Sequence, residues 1–382
     1  MPRPIPFLAV LIGLCLSLFT DRSHAATYCV GSVAELRSAV QAAMTNPGDD
    51  EIRIRQGVYA IDATIILATA QPGWLSIIGG YSAGNGLPCG AFSGNARSTV
   101  LSGGGLRQIL VLGYVPGDAS TSGARYLFTN FTLQDGAGSG FERGGGLNVS
   151  MSGANADNEL WIDNLYVAGN SGYFAGGINA FVAYGMVRVT NSHFDNNSAP
   201  GTSSAHLAIN ANAAHPAYTR AVVIANSTFT RGRCAGSAGI GYTRGCGVGV
   251  GLAAPLKLEV ANSVFFDNQI NDLSVEGSVG APPTEQAFIS RSQVPIYNGT
   301  VAYTVSGAIT AAPLFVDPAN GNFRLRENSP LVNSGALPLP GNYPALNGYD
   351  LDGNQRVRLG TVDVGAYELQ QLEAIFAGSF EP

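Results

Sequence analysis

Lysine is nearly missing from this chain: Lys257 is the only one in 382 residues, and charged side chains of every kind make up 12%. Acidic residues outnumber basic ones, for a net charge of −6. Phosphate-reading proteins need a broad basic face, so nucleic acid is not an expected partner. Long apolar runs are scarce as well. After the first segment none approaches the roughly 18 apolar residues that cross a bilayer as a helix, so no transmembrane span is expected in the mature chain. No Cys-x-x-Cys pair is present, which removes the usual zinc spacing. Helix-like segments are few, yet glycine reaches 50 residues and apolar residues 46%. That apolar share is too high for a disordered glycine-rich linker. The chain must bury its surface without long helices.

The first 25 residues read as an export signal. Arg3 precedes the apolar run "PFLAVLIGLCLSLF", and "SHA" at Ser23 to Ala25 supplies the small-residue cleavage pattern. Cleavage after Ala25 takes Arg3, Asp21 and Arg22, leaving 18 basic against 25 acidic residues, about −7. Cys15 leaves too, and the remaining Cys29, Cys89, Cys234 and Cys246 are an even set in an exported chain, which favours two disulfides. Three pairings are open. Proximity in sequence favours Cys29 with Cys89 and Cys234 with Cys246.

Five segments align on one asparagine: "YLFTNFTLQDG", "LWIDNLYVAGN", "VRVTNSHFDNN", "VVIANSTFTRG" and "LEVANSVFFDN". The anchors Asn130, Asn164, Asn191, Asn226 and Asn262 follow each other at 34, 27, 35 and 36 residues, the spacing of a solenoid. Before each anchor the apolar residues recur with period two (Tyr126/Phe128, Leu160/Ile162, Val187/Val189, Val222/Ile224, Leu258/Val260), as in a strand with one buried face. Three residues after it the buried position returns as Leu133, Val167, Phe194, Phe229 and Phe265. Each unit therefore reads strand, bend at Asn, strand. Asparagine tolerates the left-handed backbone of a bend, and stacked amides can hydrogen-bond from coil to coil.

A second ladder is expected six residues on, at Asn170, Asn197 and Asn268, with Gly136 and Gly232 on the other rungs. A third corner is read at Asn148, Asn179 and Asn210 from "GGGLN", "AGGIN" and "HLAIN". These features predict an all-β fold, a right-handed single-stranded parallel β-helix over residues 26–310. "SVAELRSAVQAAM" carries a capping box in Ser32 and Glu35, so a cap helix is expected over about 33–44 at the first open end. Residues 311–368 are expected to close the other end, and 369–382 form a tail.

Chemistry is harder to read. His193 shares its slot with Thr132, Tyr166, Thr228 and Val264, an outward column with no common chemistry, so a structural or solvated role is expected. Asp135, Asp195 and Asp267 are near-equivalent, but Ala168 and Thr230 interrupt them, which breaks a tight metal cluster. The local positive loop "TRGRCAGSAGIGYTRGC" offers Arg231, Arg233 and Arg244 with Tyr242 for a carboxylated or sulfated glycan; a solvated loop is the alternative. Trp161 points outward and either stacks on a sugar ring beside Tyr166 or packs under an inserted loop. "DLDGN" suggests Ca²⁺ at Asp350, Asp352 and Asn354. It is no EF-hand, since glycine falls at position 4 and no acid at position 12, and a hydrogen-bonded turn explains it as well. No other cofactor is expected.

The ladders resemble the pectin-lyase-like superfamily of β-helices, and the "GGG-L" and "F-x-x-N" pieces (Gly144 to Leu147, Phe194 to Asn197) resemble repeats of bacterial polymorphic outer-membrane and adhesin proteins. "NSPLVNSG" followed by "DLDGNQRVRLGTVDVGAYE" is similar to the C-terminal segment of bacterial β-helix proteins of the choice-of-anchor Q type. The matching residues are Asp350, Asp352, Gly353, Asn354, Arg356, Asp363, Gly365, Ala366, Tyr367 and Glu368. The resemblance implies a secreted or cell-surface bacterial protein and does not imply a reaction, because this fold carries lyases, hydrolases and adhesins alike. The leading expectation is a noncatalytic binder of acidic polysaccharide or a cell-surface glycan. A polysaccharide lyase or glycoside hydrolase, and a purely structural surface protein, are the alternatives.

Overall fold

A computed structural model describes residues 26–46, 48–84, 89–116, 123–139, 143–153, 157–200, 204–211, 221–234, 246–253, 255–277, 285–337, 348–358 and 360–369. The period-two alternation becomes two long parallel sheets wound as a parallel β-helix. The longer sheet stacks successive coils from Ala26–Val30 through Asn158–Ala168 to Tyr303–Ser306. The second runs from Ile65–Thr69 to Tyr297–Gly299, one strand per coil. Leu160, Val187, Val222 and Leu258 stand in one register column, as do Ile162, Val189, Ile224 and Val260, and all are fully buried in the lumen. Phe194, Phe229 and Phe265 stack face on face at 5.1 and 4.7 Å. No helix among the described residues is long and apolar enough to cross a membrane.

The corner asparagines do what their backbone tolerance suggests. Asn130, Asn164, Asn191, Asn226 and Asn262 all have φ between 47° and 63° and are fully buried. The expected chain of amide-to-amide bonds is present at one step only, Asn164 Nδ2 to Asn130 Oδ1 at 2.8 Å. Asn191 donates instead to Asp163, and the amide of Asn226 has no hydrogen-bond partner among the described residues. The coil-to-coil bonds run through the next residue. Backbone N–H groups of Leu165, Ser192, Ser227 and Ser263 donate to the hydroxyls of Ser192, Ser227, Ser263 and Ser292 at 3.0–3.3 Å. Each hydroxyl donates to a carbonyl two residues back. Asparagine supplies the turn and serine the bond. A short hydroxyl can serve both neighbours at the strand spacing, whereas an amide must rotate to do so.

The second ladder forms as expected. Asn170, Asn197 and Asn268 donate to Leu133, Val167 and Phe229 carbonyls, and Asn170 and Asn268 accept from Gly136 and Gly232 N–H. The third is in part a misreading. Asn179 lies beside Asn148 and donates to it at 2.8 Å, but it pairs with Ala208, so Asn210 is two residues out of column. These asparagines also sit within strands of the second sheet and mark no corner. In "HLAIN" the histidine takes the place of the second glycine, which shifts the alignment.

The cap helix spans Val33–Thr45. Ser32 Oγ accepts the Glu35 N–H at 3.2 Å, and Leu36, Ala39 and Val40 are buried against the first coils. Both disulfides, Cys29–Cys89 and Cys234–Cys246, are formed. Closing loops of 60 and 12 residues, they stabilise by roughly 4 and 3 kcal/mol on loop-entropy grounds.

The C-terminal segment lies elsewhere than at the far end. It turns back as a strap along the outside of the post-bend strands. Its antiparallel pair Phe315–Asp317 and Asn322–Leu325 joins Leu331, Leu351, Val364 and Tyr367 in a second core built on Val264 and Ala96. Gly365 N–H donates to Asn262, Ala366 N–H to Thr228, and Ala96 N–H to Leu351. The strap thus crosses several coils toward the first ones.

Candidate functional site

Of the expected arginine site, the two described arginines are each engaged by an acid. Arg231 occupies a left-handed corner (φ 58°) that aims its guanidinium back at Asp195, with two bonds of 2.9 and 2.7 Å. Arg233 pairs with Asp267 at 2.9 Å. Tyr242 and Arg244 lie outside the described residues. Trp161 belongs to the pre-bend face, and its aromatic and polar neighbours there include neither arginine. The three acids also separate: Asp195 pairs with Ala168 and Thr230, whereas Asp135 and Asp267 occupy the following left-handed corner.

The calcium reading fails on the same accounting. Asp350 is buried and its two oxygens accept from the backbone of Asp352, Asn354 and Glu368 and from the Asn354 amide. Asp352 accepts two hydrogen bonds from Arg324, each 2.6 Å. Donors fill the acceptors a cation would need. The motif residues around it serve the strap: buried Arg356 donates to the Asp363 and Gly365 carbonyls and faces Glu368 at 3.2 Å. Asp363 accepts from Asn333 and Leu369 N–H. Burial pushes the carboxyls of Asp350 and Asp363 upward.

His193 points outward from the lumen, yet the strap seals it. Arg97 donates to the Tyr367 hydroxyl (2.7 Å), which faces His193 Nδ1 (2.8 Å); Nε2 faces Thr230 Oγ1 (2.9 Å), which donates to Asp195 (2.9 Å). One proton arrangement satisfies every member: a neutral imidazole with hydrogen on Nε2, assigned from its partners. Burial pushes His193 down to about 3. Asp195 stays below its usual range, because Arg231 and the Thr230 hydroxyl outweigh the burial that would raise it. The cluster is closed to solvent by Tyr367 and Phe323, both buried and edge-on to the imidazole.

Sequence reasoning passed over His206. It replaces the missing rung of the second ladder, with Nδ1 facing the Asn197 amide at 3.1 Å and Nε2 facing Asn268 at 2.9 Å. A Cβ on Gly232 would stand 2.8 Å from that ring nitrogen and 2.1 Å from the Cys246 carbonyl, so only glycine fits beside the histidine. The clue was the glycine at Gly232 where the ladder wanted an amide. Burial lowers His206 to about 4.

The open chemistry lies on the pre-bend face. Trp74 and Trp161 meet edge to face at 5.0 Å, with Arg188 4.7 Å over Trp161 and Arg125 6.0 Å over Trp74. Trp161 Nε1 donates to Glu159 and Trp74 Nε1 to Ser76, which fixes both rings. Arg125 bridges Asp157 (2.9 Å) and Glu159 (3.2 Å). Both tryptophans and both arginines are half-buried. Asp49, Pro72, Gly73, Trp74, Arg125 and Asp157 line a shallow hollow at its upper edge. Arg188 was legible, since it fills the slot of Trp161 one coil on. Trp74 was not, because its coil carries glycine where the others carry the anchor asparagine.

No protein-family model matches the chain and no curated protein matches it.

Proposed function

We propose that this is an exported, noncatalytic β-helix protein that binds a glycan on its pre-bend face, with a strap like that of choice-of-anchor Q proteins and a place in the pectin-lyase-like superfamily. The observation that carries the reading is the Trp74–Trp161 pair, held by its own hydrogen bonds beside two arginines and three carboxylates. Indole faces stack on sugar C–H groups, while arginine and carboxylate pairs exchange hydrogen bonds with hydroxyls. Rings already fixed lose little entropy on binding. Export is supported by the leading signal-like segment and by the two disulfides.

The ligand is a neutral glycan. Arg125 pairs with Asp157 and Glu159, Asp49 accepts the Trp74 N–H, and the whole chain carries −6, so a polyanion would be repelled. Of the arginines that favoured an acidic one, Arg231 and Arg233 are committed to Asp195 and Asp267.

Retention of the purified protein on immobilised neutral and acidic polysaccharides tests this. Neutral resins should hold it, and Trp74→Ala with Trp161→Ala should abolish retention while Arg231→Ala with Arg233→Ala keeps it. Retention unchanged in the tryptophan double variant would overturn the site. New reducing ends, or ultraviolet-absorbing unsaturated products, would overturn the noncatalytic reading.

A further inference from the structure

The two ends of the lumen are finished differently. At the first, the helix Val33–Thr45 lays Leu36, Ala39 and Val40 over the opening. At the last, nothing comparable stands among the described residues. Ala287 and Ile289 face the lumen and are 1% and 3% exposed; their partners on the final rung, Tyr303 and Val305, are 51% and 45% exposed. Ile296 is exposed beside them, and the Tyr297 ring stacks on Tyr303 at 4.1 Å. With Val294 and Ile309 these residues line an open apolar hollow. Both sheets end here, at Tyr303–Ser306 and Tyr297–Gly299. The carbonyls of Ala302 and Ser306 accept from Ala287 and Arg291, so by strand alternation Tyr303 and Val305 turn their N–H and C=O toward the edge. Edge strands that stay in water are commonly blunted by charge, proline or a bulge. This one reads Tyr-Thr-Val-Ser, and no charged residue stands anywhere from Ser292 to Val316 in the sequence. The last coil is apolar, uncharged and equipped to pair.

We infer that a second copy of this chain covers this end, the two β-helices meeting last coil to last coil across a two-fold axis. The free groups are spaced to complement themselves. In an antiparallel pair every second residue exchanges both its N–H and its C=O with the residue opposite. Setting Tyr303 opposite the partner's Val305, and Val305 opposite the partner's Tyr303, satisfies all the outward backbone groups of both, with the axis through Thr304. Opposite residues of such a pair lie on the same face of the sheet. The Tyr303 ring then lies against the partner's Val305 on the lumen side, and the two hollows close into one core. A two-fold contact sets a patch against its own copy, so any net charge on it would repel. The uncharged run Ser292 to Val316 removes that cost, and it offers a charged foreign partner nothing to pair with. The nearest charges belong to the rung before, where Glu276 accepts from the Thr300 hydroxyl and Arg291 follows the strand Gln286–Ser290. Head-to-tail stacking, which would build a filament, is obstructed by the cap helix over the first opening. The contact closes at two copies.

Solution mass of the purified full chain across a dilution series, with hydrogen exchange at the Tyr303 and Val305 amides measured in parallel, tests the inference. The mass should be that of two chains when concentrated and of one chain when dilute. Exchange at both amides should quicken by about tenfold or more as the mass falls. Val305→Lys puts a like charge on each side of the axis at an exposed position and should leave a monomer throughout. Val305→Pro deletes only an N–H that the protomer does not use, so it should fold and weaken the dimer by roughly tenfold or more. Val58→Lys, exposed at the capped end, should change neither mass nor exchange. A mass of one chain at every concentration would overturn the inference. So would a dimer that survives both Val305 variants, or slow exchange at Tyr303 and Val305 that persists in the monomer.

Discussion

The bend at each corner asparagine divides the outer wall into two faces built from the same alternating strands, and the two have opposite fates. On the post-bend face the strap covers Tyr166, His193, Thr228 and Val264, and the Tyr166 hydroxyl, the His193 ring and the Thr228 hydroxyl beneath it each have a partner. On the pre-bend face Trp74, Arg125, Trp161 and Arg188 remain half-buried. Period two says which residues point out of the lumen. It does not say whether outward means solvent. That is decided by a segment more than a hundred residues away in sequence, so chemically similar outward residues become a lock on one side and an open face on the other.

The largest expected effect separates the faces by stability. Asp195→Ala removes the acceptor shared by Arg231, Thr230 and Tyr166 under the strap. It should cost roughly 3 kcal/mol, the lower end for breaking a buried pair, because Arg231 keeps some solvent. Trp161→Ala on the open face should cost clearly less, since part of its ring already faces water. Denaturant midpoints of the two variants measure the contrast. Equal losses would mean that the strap seals the cluster no better than solvent does.

The second effect is a pH dependence carried by the buried histidines. The folded values of His193 and His206 lie at about 3 and 4, below the ~6.5 of an unfolded histidine. Both are neutral when folded, so their contribution is complete above about pH 6.5 and is lost as the pH falls toward the folded values, because the unfolded chain then binds the protons. At pH 5 the loss is roughly 2 kcal/mol per histidine. Burial is the main cause; of the charged groups facing His193, Asp195 favours its charge and Arg97 and Arg231 oppose it. His193→Thr, the residue at Thr132 and Thr228, should remove the share of that loss due to His193, roughly 2 kcal/mol at pH 5, while buried Glu368, pushed up to about 8, acts with the opposite sign in both proteins. An unchanged slope would place the titration outside the covered face.

Much of the scaffold was legible because burial and bend geometry are local. Leu160, Ile162 and Val167 announce the lumen by spacing, and Asn164 announces the corner by its tolerance of positive φ. The serine ladder was equally visible as "TNS", "ANS" and "ANS", but the amide drew attention as the larger hydrogen-bonding group. The strap's path was not legible, since Tyr367 meets His193 across 174 residues and no periodicity encodes that meeting. The open pre-bend face was half legible: Trp161 and Arg188 align on the repeat, whereas Trp74 and Arg125 enter only through strand register.

The smallest effect tests the corner that divides the faces. If Asn226 serves only as a left-handed bend, its unpartnered amide contributes nothing, and Asn226→Gly should change stability by no more than about 0.5 kcal/mol. Asn226→Ala keeps a Cβ in the left-handed region and should cost about 1–2 kcal/mol. Ser227→Ala should cost about as much for a different reason, since it leaves the Ser192 N–H without its acceptor. Measured together, the three variants separate geometry from bonding. Asn226→Gly proving as costly as Asn226→Ala would mean that the amide bonds from coil to coil after all, and that the two faces are joined by asparagine as well as serine.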